Sequence, residues 1–249
     1  MSARSHILSI LIALATLSAG LGILLAQEAS PAAFELHAAL AAAAPGETIV
    51  VPSGVYVGPF HLDRAVTLVG EGMPVLQGDG EGDVLHIAAT GVTVRGFEVR
   101  NSGASLDRED SGIRVTAADV TVEENSIVDT LFGIYLGNAP RATVRGNTII
   151  GKDLAESRRG DGLKVWYSAN SLVEDNIMSR TRDAVIWFSP GTVLRGNEFS
   201  NGRYGMHFMS SDDHVIEDNI LRGNSVGIYL MYGSDYVVRN NLLADNRGP

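Results

Sequence analysis

The stretch RYGMHFMSSDDHVIEDN (203–219) recurs 22 residues further along the chain as SVGIYLMYGSDYVVRNN (225–241). In both copies apolar residues occupy alternate positions of two short runs, and Asp, Asn, Gly and Ser separate the runs. A repeat of this length, with strand patterns and no helical period, is typical of a parallel β-solenoid. Because neighbouring coils of such a solenoid lie about 4.8 Å apart, equivalent positions form columns along the molecule.

The same unit extends back to about residue 112. Each copy ends in an asparagine, namely Asn125, Asn147, Asn176, Asn197, Asn219 and Asn241. The residue two places before it alternates in charge through Arg95, Glu123, Arg145, Glu174, Arg195, Glu217 and Arg239. Opposite charges on neighbouring strands attract, which supports this alignment of the copies. We therefore predict an all-β protein, a right-handed single-stranded parallel β-helix with coils of about 22 residues.

The chain divides into three segments. Residues 1–26 contain a basic start and the apolar stretch 7–25, the pattern of a secretory signal peptide or, uncleaved, of a membrane anchor. Residues 27–60 are predicted to form the N-terminal cap and first coil, with an Ala-rich capping helix over 31–44 that covers the first strand edge. Residues 61–249 carry the repeats. They stop at the close of a coil without a cap, which favours truncation at the C-terminus.

Charge and composition exclude some partners. Residues 27–249 contain 18 Lys and Arg against 29 Asp and Glu, a net charge of −11. Such an acidic chain has no electrostatic reason to bind nucleic acid or an anionic membrane surface. The chain has no cysteine, so any metal site must use His, Met or carboxylate ligands.

A small residue opens one strand of each unit, and the residues one and three places after it are apolar. These pairs are predicted to face the core: Ile113 and Val115, Ile134 and Leu136, Leu163 and Val165, Val185 and Trp187, Met206 and Phe208, Ile228 and Leu230. The second and fourth residues then face outward, because side chains alternate along a strand. They form one column of Arg114, Tyr135, Lys164, Ile186, His207 and Tyr229, and another of Thr116, Gly137, Trp166, Phe188, Met209 and Met231.

An outward column that runs Trp, Phe, Met, Met is typical of a contact surface. We predict a partner-binding face made by Tyr135, Lys164, Trp166, Tyr167, Phe188, Tyr229 and Tyr232. Two insertions, residues 103–110 and 152–160, precede this strand and are placed to wall a groove. The alternative is a face covered by another part of the chain or by a partner domain.

Two sets of side chains on this face are candidates for a metal site and for a catalytic carboxylate pair. His207, Met209 and Met231 offer imidazole and thioether ligands, a soft set suited to copper, above all Cu(I), although methionine is more often a packing residue. Asp161 and Asp183 are assigned to the same position before the strand on adjacent coils. A spacing of about 5 Å would suit the carboxylates of a retaining glycosidase. Asp beside Gly is also ordinary turn chemistry, and this structural role is the favoured interpretation of the pair.

The segments GDGLKVWYSANSLVEDN (160–176) and RDAVIWF (182–188), together with 203–219 and 225–241, resemble the NosD family. The resemblance extends over about residues 31–249 and includes the entry PGETIVVPSGVY (45–56). Its most specific piece is RYGMHFMSSDD (203–213). The shorter G-I-x-L and N-x-I elements occur in many β-helices, including sugar-binding and sugar-cleaving ones.

The resemblance implies a periplasmic accessory protein, not an enzyme, that helps to assemble the copper–sulfide centre of nitrous oxide reductase. It implies that reductase, an ABC-type ATPase and permease, and a copper-carrying lipoprotein as partners, with copper as a transient cofactor. It fixes no ligands, so His207, Met209 and Met231 rest on side-chain chemistry alone. A carbohydrate-binding or carbohydrate-cleaving β-helix, with Trp166 and Phe188 as sugar platforms, is the rival class. A scaffold that docks partners and binds no metal is the third.

Overall fold

The computed structural model describes residues 34–248, which form a parallel β-solenoid of nine coils as predicted. The signal peptide predicted at residues 1–26 lies outside the described residues. One helix, α1 (Leu36–Ala42), precedes the strands, and a short 3-10 helix spans Glu156–Arg158. Within residues 34–248 no helix is long and apolar enough to cross a membrane.

The first four coils contain twelve strands. These are β1 (Thr48–Val51), β2 (Val55–Val57), β3 (Phe60–Leu62), β4 (Thr67–Gly70), β5 (Val75–Gln77), β6 (Leu85–Ile87), β7 (Thr93–Arg95), β8 (Glu98–Arg100), β9 (Ser111–Val115), β10 (Thr121–Glu123), β11 (Ser126–Thr130) and β12 (Phe132–Gly137).

The remaining coils contain fourteen more. These are β13 (Thr143–Arg145), β14 (Thr148–Gly151), β15 (Leu163–Trp166), β16 (Leu172–Glu174), β17 (Ile177–Ser179), β18 (Asp183–Trp187), β19 (Val193–Arg195), β20 (Glu198–Ser200), β21 (Tyr204–Met209), β22 (His214–Glu217), β23 (Ile220–Arg222), β24 (Val226–Met231), β25 (Tyr236–Arg239) and β26 (Leu242–Ala244).

The strands form three sheets, each of which takes every third strand. Sheet 1 runs from β1 through β4 to β25, sheet 2 from β2 through β5 to β26, and sheet 3 from β3 through β6 to β24. All pairings are parallel, and each of the first eight coils contributes one strand to each sheet in the order 1, 2, 3. The last described coil contributes β25 to sheet 1 and β26 to sheet 2. The core lies between the sheets and is filled by stacked Val, Leu, Ile and Phe side chains.

Helix α1 covers the first coil, as predicted, but is shorter than the predicted range 31–44. Its buried residue Leu36 packs into the core cluster of the first coil. Arg64 caps the C-terminal end of α1. Its guanidinium donates hydrogen bonds to the carbonyls of Ala41 (2.6 Å) and Ala43 (3.2 Å). These carbonyls have no partner further along the helix, so a cation at this end stabilises it.

The predicted asparagine ladder is present and buried. In each step the Oδ1 atom of one asparagine accepts hydrogen bonds from the backbone N–H and the Nδ2 of the asparagine one coil earlier. For Asn197 and Asn176 both distances are 3.0 Å. The residue before each ladder asparagine lies in the left-handed region, for example Asp175 (φ 55°) and Gly196 (φ 65°). Gly, Asn and Asp enter this region most readily, which explains why they precede the ladder.

The alternating charges also lie in register on sheet 1, which confirms the alignment of the copies. Glu174 pairs with Arg145 on one side and Arg195 on the other, with N–O distances of 3.5 Å and 2.6 Å. The Glu174 side chain is only 10% exposed, whereas both arginines are about half exposed. The arginine stems cover the shorter glutamate, since long cationic side chains extend toward water.

The inward and outward assignment for sheet 3 is correct in the other described coils but wrong by one residue in β18. Lys164 pairs with Val185 and Trp166 with Trp187, so Ile186 is the buried residue and Trp187 faces outward. The pairing of β18 with β21 shifts between Asp183 and Val185, where β21 contains one residue more. Ala184 had been aligned with the opening glycines, whereas it occupies the inward position of Leu163.

This shift corrects two predicted columns. The outward column is Gly137, Trp166, Trp187, Met209 and Met231, without Phe188. Phe188 instead takes the turn position after the strand, where Tyr167, Phe188, Ser210 and Tyr232 all have positive φ. Asp161 precedes β15 and Asp183 begins β18 on the next coil, and the N–H of Gly162 donates to the carbonyl of Asp183 (2.9 Å).

Candidate functional site

One continuous column of side chains runs along the outer surface of sheet 3. The pairings place in it, in order, His61, His86, Arg114, Tyr135, Lys164, Val185, His207 and Tyr229. The column contains three histidines and two cations, whereas the matching inward columns are apolar. Sheet 3 is therefore the face of the solenoid that carries reactive and recognition groups.

The insertion at residues 103–110 folds over the middle of this column, as predicted for a wall of the groove. The Lys164 ammonium forms an ion pair with Glu109 of the insertion. Tyr135 and Lys164 were predicted to lie on an exposed face, but they are 4% and 8% exposed because the insertion covers them. Burial, together with the nearby Glu109 carboxylate, raises the pKa of Tyr135 to about 12.

Beside the insertion lies a cavity of about 260 Å³. Its lining combines an apolar side with a dense set of charges: Leu106, Glu109, Phe132, Asp161, Lys164, Arg182, Asp183, Val185, Trp187, Arg203, His207 and Met209. The second insertion does not line it, but Glu156 and Ser157 border a neighbouring cavity with Arg182 and Arg203. The two insertions thus border two neighbouring cavities that share Arg182 and Arg203.

Asp183 is the buried anion of this cavity, and its carboxylate contacts three other residues. Its carboxylate pairs with the Arg203 guanidinium, accepts the N–H of Tyr204 (3.1 Å) and lies 3.4 Å from Nδ1 of His207. Burial acts to raise the pKa of Asp183, but the hydrogen bonds from His207 and Arg203 outweigh it and leave the pKa below its ordinary value. Asp183 therefore stays ionised and orients the Arg203 guanidinium and the His207 ring.

Asp161 lies in the same cavity, but the pKa of its carboxyl is shifted in the opposite direction. It is 9% exposed, and burial followed by repulsion from Asp183 raises the pKa of its carboxyl to about 7. Near neutral pH this group is therefore close to half protonated, whereas Asp183 is charged. A carboxyl group with a raised pKa beside a charged one marks candidate functional sites, although structural ion-pair networks produce the same pattern.

His207 and Met209, two of the three predicted metal ligands, line this cavity together. The ionised Asp183 accepts from Nδ1 of His207, so Nε2 is the nitrogen with the free lone pair in the neutral ring. Nε2 is buried and has no hydrogen-bond partner. Met231 is in register with Met209 but is absent from the lining of the cavity. The imidazole is held between Tyr204 (4.9 Å) and Tyr229 (5.5 Å).

An aromatic cluster borders the cavity on the turn side. Tyr167 stacks on Phe188 (4.9 Å between ring centres), and Phe188 stacks on Trp187 (5.5 Å). Tyr167 is 50% exposed, Phe188 36% and Tyr232 80%. Tyr167, Phe188 and Tyr232, three residues of the predicted binding face, are thus turn residues at positive φ.

The sequence analysis missed four contributors to the site. Trp187 was assigned to the core, and Glu109, Arg203 and Asp83 were given no role. Asp83 binds Arg114 through two hydrogen bonds, one of 2.5 Å and one of 3.1 Å. The signal for Glu109 was the insertion itself, since only a loop of extra length reaches across a coil. Arg203 precedes its strand and carries no distinguishing local pattern.

Similarity to known proteins favours one of the possible functions of this site. Residues 149–248 match the family described as "NosD: Periplasmic copper-binding protein (NosD)". Two proteins named "Probable ABC transporter binding protein NosD" are similar over about half of the chain. The one from Pseudomonas aeruginosa is 34% identical over 134 residues, and the one from Stutzerimonas stutzeri 29% over 136. Each match covers 53% of this chain, and the chain spans 31% of the length of either relative.

Solved structures share the fold at low sequence identity. The A-module of the mannuronan C-5 epimerase AlgE6 from Azotobacter vinelandii has a TM-score of 0.54 at 14% identity, covering 83% of this chain and 73% of that one. The enzymatically active domain of tailspike protein 2 from bacteriophage CBA120 has a TM-score of 0.53 at 11% identity, covering 80% and 38%. At these identities the similarity concerns the fold alone. The NosD relatives favour an accessory or binding protein over an enzyme.

Proposed function

We propose that this protein is a periplasmic accessory protein in the maturation of nitrous oxide reductase, since residues 149–248 match the NosD family. In this role it acts with an ABC-type ATPase and permease and receives copper, as cargo, from a copper-carrying lipoprotein. The names of the relatives, which contain the words "ABC transporter binding protein", and the copper-binding description of the family support this role.

The observation that carries the copper part of the proposal is the buried, unpartnered Nε2 of His207. A histidine ligand in a metal site commonly donates its other ring N–H to a carboxylate, which fixes the tautomer and orients the ring. Asp183 stands in that relation to His207. The thioether of Met209 lines the same cavity, and imidazole with thioether is a donor set for Cu(I). The residues present therefore fit a soft cation as cargo.

The surroundings suit transient binding. Within residues 34–248 no three His, Asp or Glu side chains converge on one point, so the chain offers no closed cage of hard or borderline ligands. A site of one imidazole and one or two thioethers holds Cu(I) with few bonds and leaves open positions for a partner's ligands. Met231 lies one coil beyond Met209 in the same outward column. Its thioether is proposed as a second ligand for Cu(I) as the ion leaves the cavity.

The test is a Cu(I) titration of the purified protein under anaerobic conditions against a competing chromogenic chelator. The wild-type protein is expected to bind one Cu(I), and the double variant His207→Ala with Met209→Ala to lose at least about tenfold in affinity, about 1.4 kcal/mol. Met178→Leu is the matched control, because Met178 is buried in the core and 3% exposed. Equal Cu(I) affinity in the wild type and the double variant would overturn the copper part of the proposal. The protein would then be a scaffold that binds partners and no metal.

The carbohydrate alternative rests on the aromatic cluster and on the two aspartates of the cavity. Stacked Tyr167 and Phe188 offer an apolar surface of the kind on which sugar rings pack. Asp183, however, is bound to Arg203, Tyr204 and His207, so it is poorly placed to act as a nucleophile or base. Retention on immobilised uronate or neutral polysaccharides, lost in Phe188→Asn, is the result that would favour this alternative.

A further inference from the structure

The N-terminal end of the sheet 3 column carries a second group of metal-type side chains, away from His207. His61 of β3 and His86 of β6 are in register on adjacent coils. Their ring centres are 5.8 Å apart at an interplanar angle of 74°. Both rings line one open cavity of about 300 Å³, whose other lining residues are Pro59, Asp79, Glu81, Gly82 and Asp83.

The hydrogen bonds of His86 decide which nitrogen is available. Thr116 Oγ1 lies 3.4 Å from the Ile87 carbonyl, to which only the hydroxyl can donate. The same hydroxyl lies 2.9 Å from Nε2 of His86. When the hydroxyl donates to the carbonyl, it accepts the Nε2 proton and the neutral ring carries its lone pair on Nδ1, so that Thr116 orients the ring as an outer-shell partner does for a metal-bound histidine.

From this arrangement we propose that His61 and His86 together bind a divalent first-row transition ion. Imidazole is the protein ligand that suits Zn(II), Cu(II) and Ni(II). Two imidazoles on one ion, at about 2.0–2.1 Å per bond, have ring centres roughly 5 to 6.5 Å apart, and the observed separation falls in that range.

The charges around the pair favour a cation. Three carboxylates line the cavity. Glu81 is paired with Arg108 and Asp83 with Arg114, so Asp79 is the carboxylate of this lining that has no ion pair within residues 34–248. Since no three His, Asp or Glu side chains in that range converge on one point, water completes the coordination. Without thioethers this pair has little preference for Cu(I), which separates it chemically from His207 and Met209.

The experiment uses the whole metal-free protein with Zn(II) in isothermal titration and Cu(II) in electron paramagnetic resonance. We expect one ion per chain, a Cu(II) signal with nitrogen coupling from two imidazoles, and coupling from one in His61→Gln or His86→Gln. Each of these variants should weaken Zn(II) binding at least about tenfold, and Thr116→Val, which removes the orienting hydroxyl, should weaken it by a smaller factor.

Two controls make the result specific. His37→Gln removes an exposed histidine that lines a neighbouring cavity with His61 but whose ring stacks on Phe60, and it should leave Zn(II) binding unchanged. The His207→Ala, Met209→Ala double variant should also bind Zn(II) as the wild type does, so the outcome is independent of the proposed function. Wild-type Zn(II) affinity in either His61→Gln or His86→Gln, or an equal loss in His37→Gln, would overturn the proposal.

Discussion

His207 and Asp183 are in contact inside the cavity of sheet 3, with 3.4 Å between Nδ1 and Oδ2 and with Asp183 only 1% exposed. The same carboxylate pairs with Arg203, so one buried anion fixes a guanidinium and an imidazole. Removing one partner of a buried ion pair costs about 3–5 kcal/mol, because the other charge is left without compensation. Asp183 is therefore expected to be the residue of the site on which the fold depends most.

Asp183→Asn should lower the free energy of unfolding by about 3 kcal/mol, measured by urea denaturation. Glu109→Gln is the matched variant, since it also removes a carboxylate charge from the lining and leaves a buried cation, Lys164, without its ion pair. The Glu109 carboxylate itself lies on the insertion and is nearer to solvent than that of Asp183. The Glu109 side chain is 27% exposed against 0% for Asp183, so its substitution should cost clearly less. The reverse order of the two losses would contradict the assignment of Asp183 as the central anion.

The raised pKa of Asp161 predicts a pH dependence of stability with a definite sign. The pKa of about 7 in the folded protein exceeds the value of about 3.9 in an unfolded chain. The contribution of this group is therefore present below pH 4 and is lost as the pH rises through 7, at most roughly 1.4 kcal/mol per unit. Asp161→Asn should gain stability relative to the wild type between pH 5 and pH 8.

The measurement is urea denaturation of both proteins across that range. A stability difference between wild type and Asp161→Asn that stays constant from pH 5 to pH 8 would show that Asp161 titrates as in an unfolded chain. Asp183→Asn is a contrasting variant, because the pKa of Asp183 is lowered. Its contribution is present above the unfolded pKa of about 3.9 and is lost only as the pH falls through a lower folded value.

The asparagine ladder predicts a position-dependent cost. Asn197 is 1% exposed and its Oδ1 serves two donors of Asn176, while its Nδ2 reaches the carbonyl of Val173 (2.9 Å). Asn197→Ala leaves these groups buried without partners, at about 1–3 kcal/mol for each unsatisfied group. Asn241→Ala breaks the same bonds to Asn219 at the solvent-accessible end of the ladder. Thermal unfolding should show a clearly smaller loss there, since water replaces the partner.

The exposed aromatic cluster predicts a docking defect that is separable from copper binding. Tyr167 and Phe188 have φ of 48° and 49°, so asparagine, which tolerates this region, is the substitution that spares the backbone. Tyr167→Asn with Phe188→Asn should weaken binding to the ABC transporter partner in surface plasmon resonance and leave Cu(I) affinity unchanged. Ile177→Thr, which changes an apolar residue 50% exposed on sheet 2, is the control and should dock normally.

The last described coil predicts self-association. Within residues 34–248 no strand pairs with the outer side of β25 or β26, and Val238 and Leu243 are each 47% exposed. Unpaired parallel strand edges with apolar side chains are templates for pairing with another chain. Residues 1–249 should form dimers or larger species at high concentration in analytical ultracentrifugation, and Leu243→Lys should shift them toward monomer. A wild-type protein that stays monomeric would show that this edge is protected in solution.

The sequence alone was sufficient for the solenoid, for its coil length and for both ladders. These features depend on interactions between equivalent positions of neighbouring coils. They are therefore visible in the sequence as residues that recur at the repeat length. Asn176 and Asn197 could be paired from spacing because each coil adds nearly the same number of residues. The sequence also identified His207 and Met209 as neighbours, since two residues of one strand two places apart share a face.

Only the tertiary structure decided which of those side chains are accessible and how they are charged. The extra residue of β21 moves Trp187 outward and Ile186 inward, and a shift of one residue reverses every side chain of a strand. Glu109 reaches Lys164 across 55 positions of sequence, and Arg203 reaches Asp183 from the next coil. Burial and pairing of this kind arise from how a loop folds over a sheet, and no periodic pattern encodes that path.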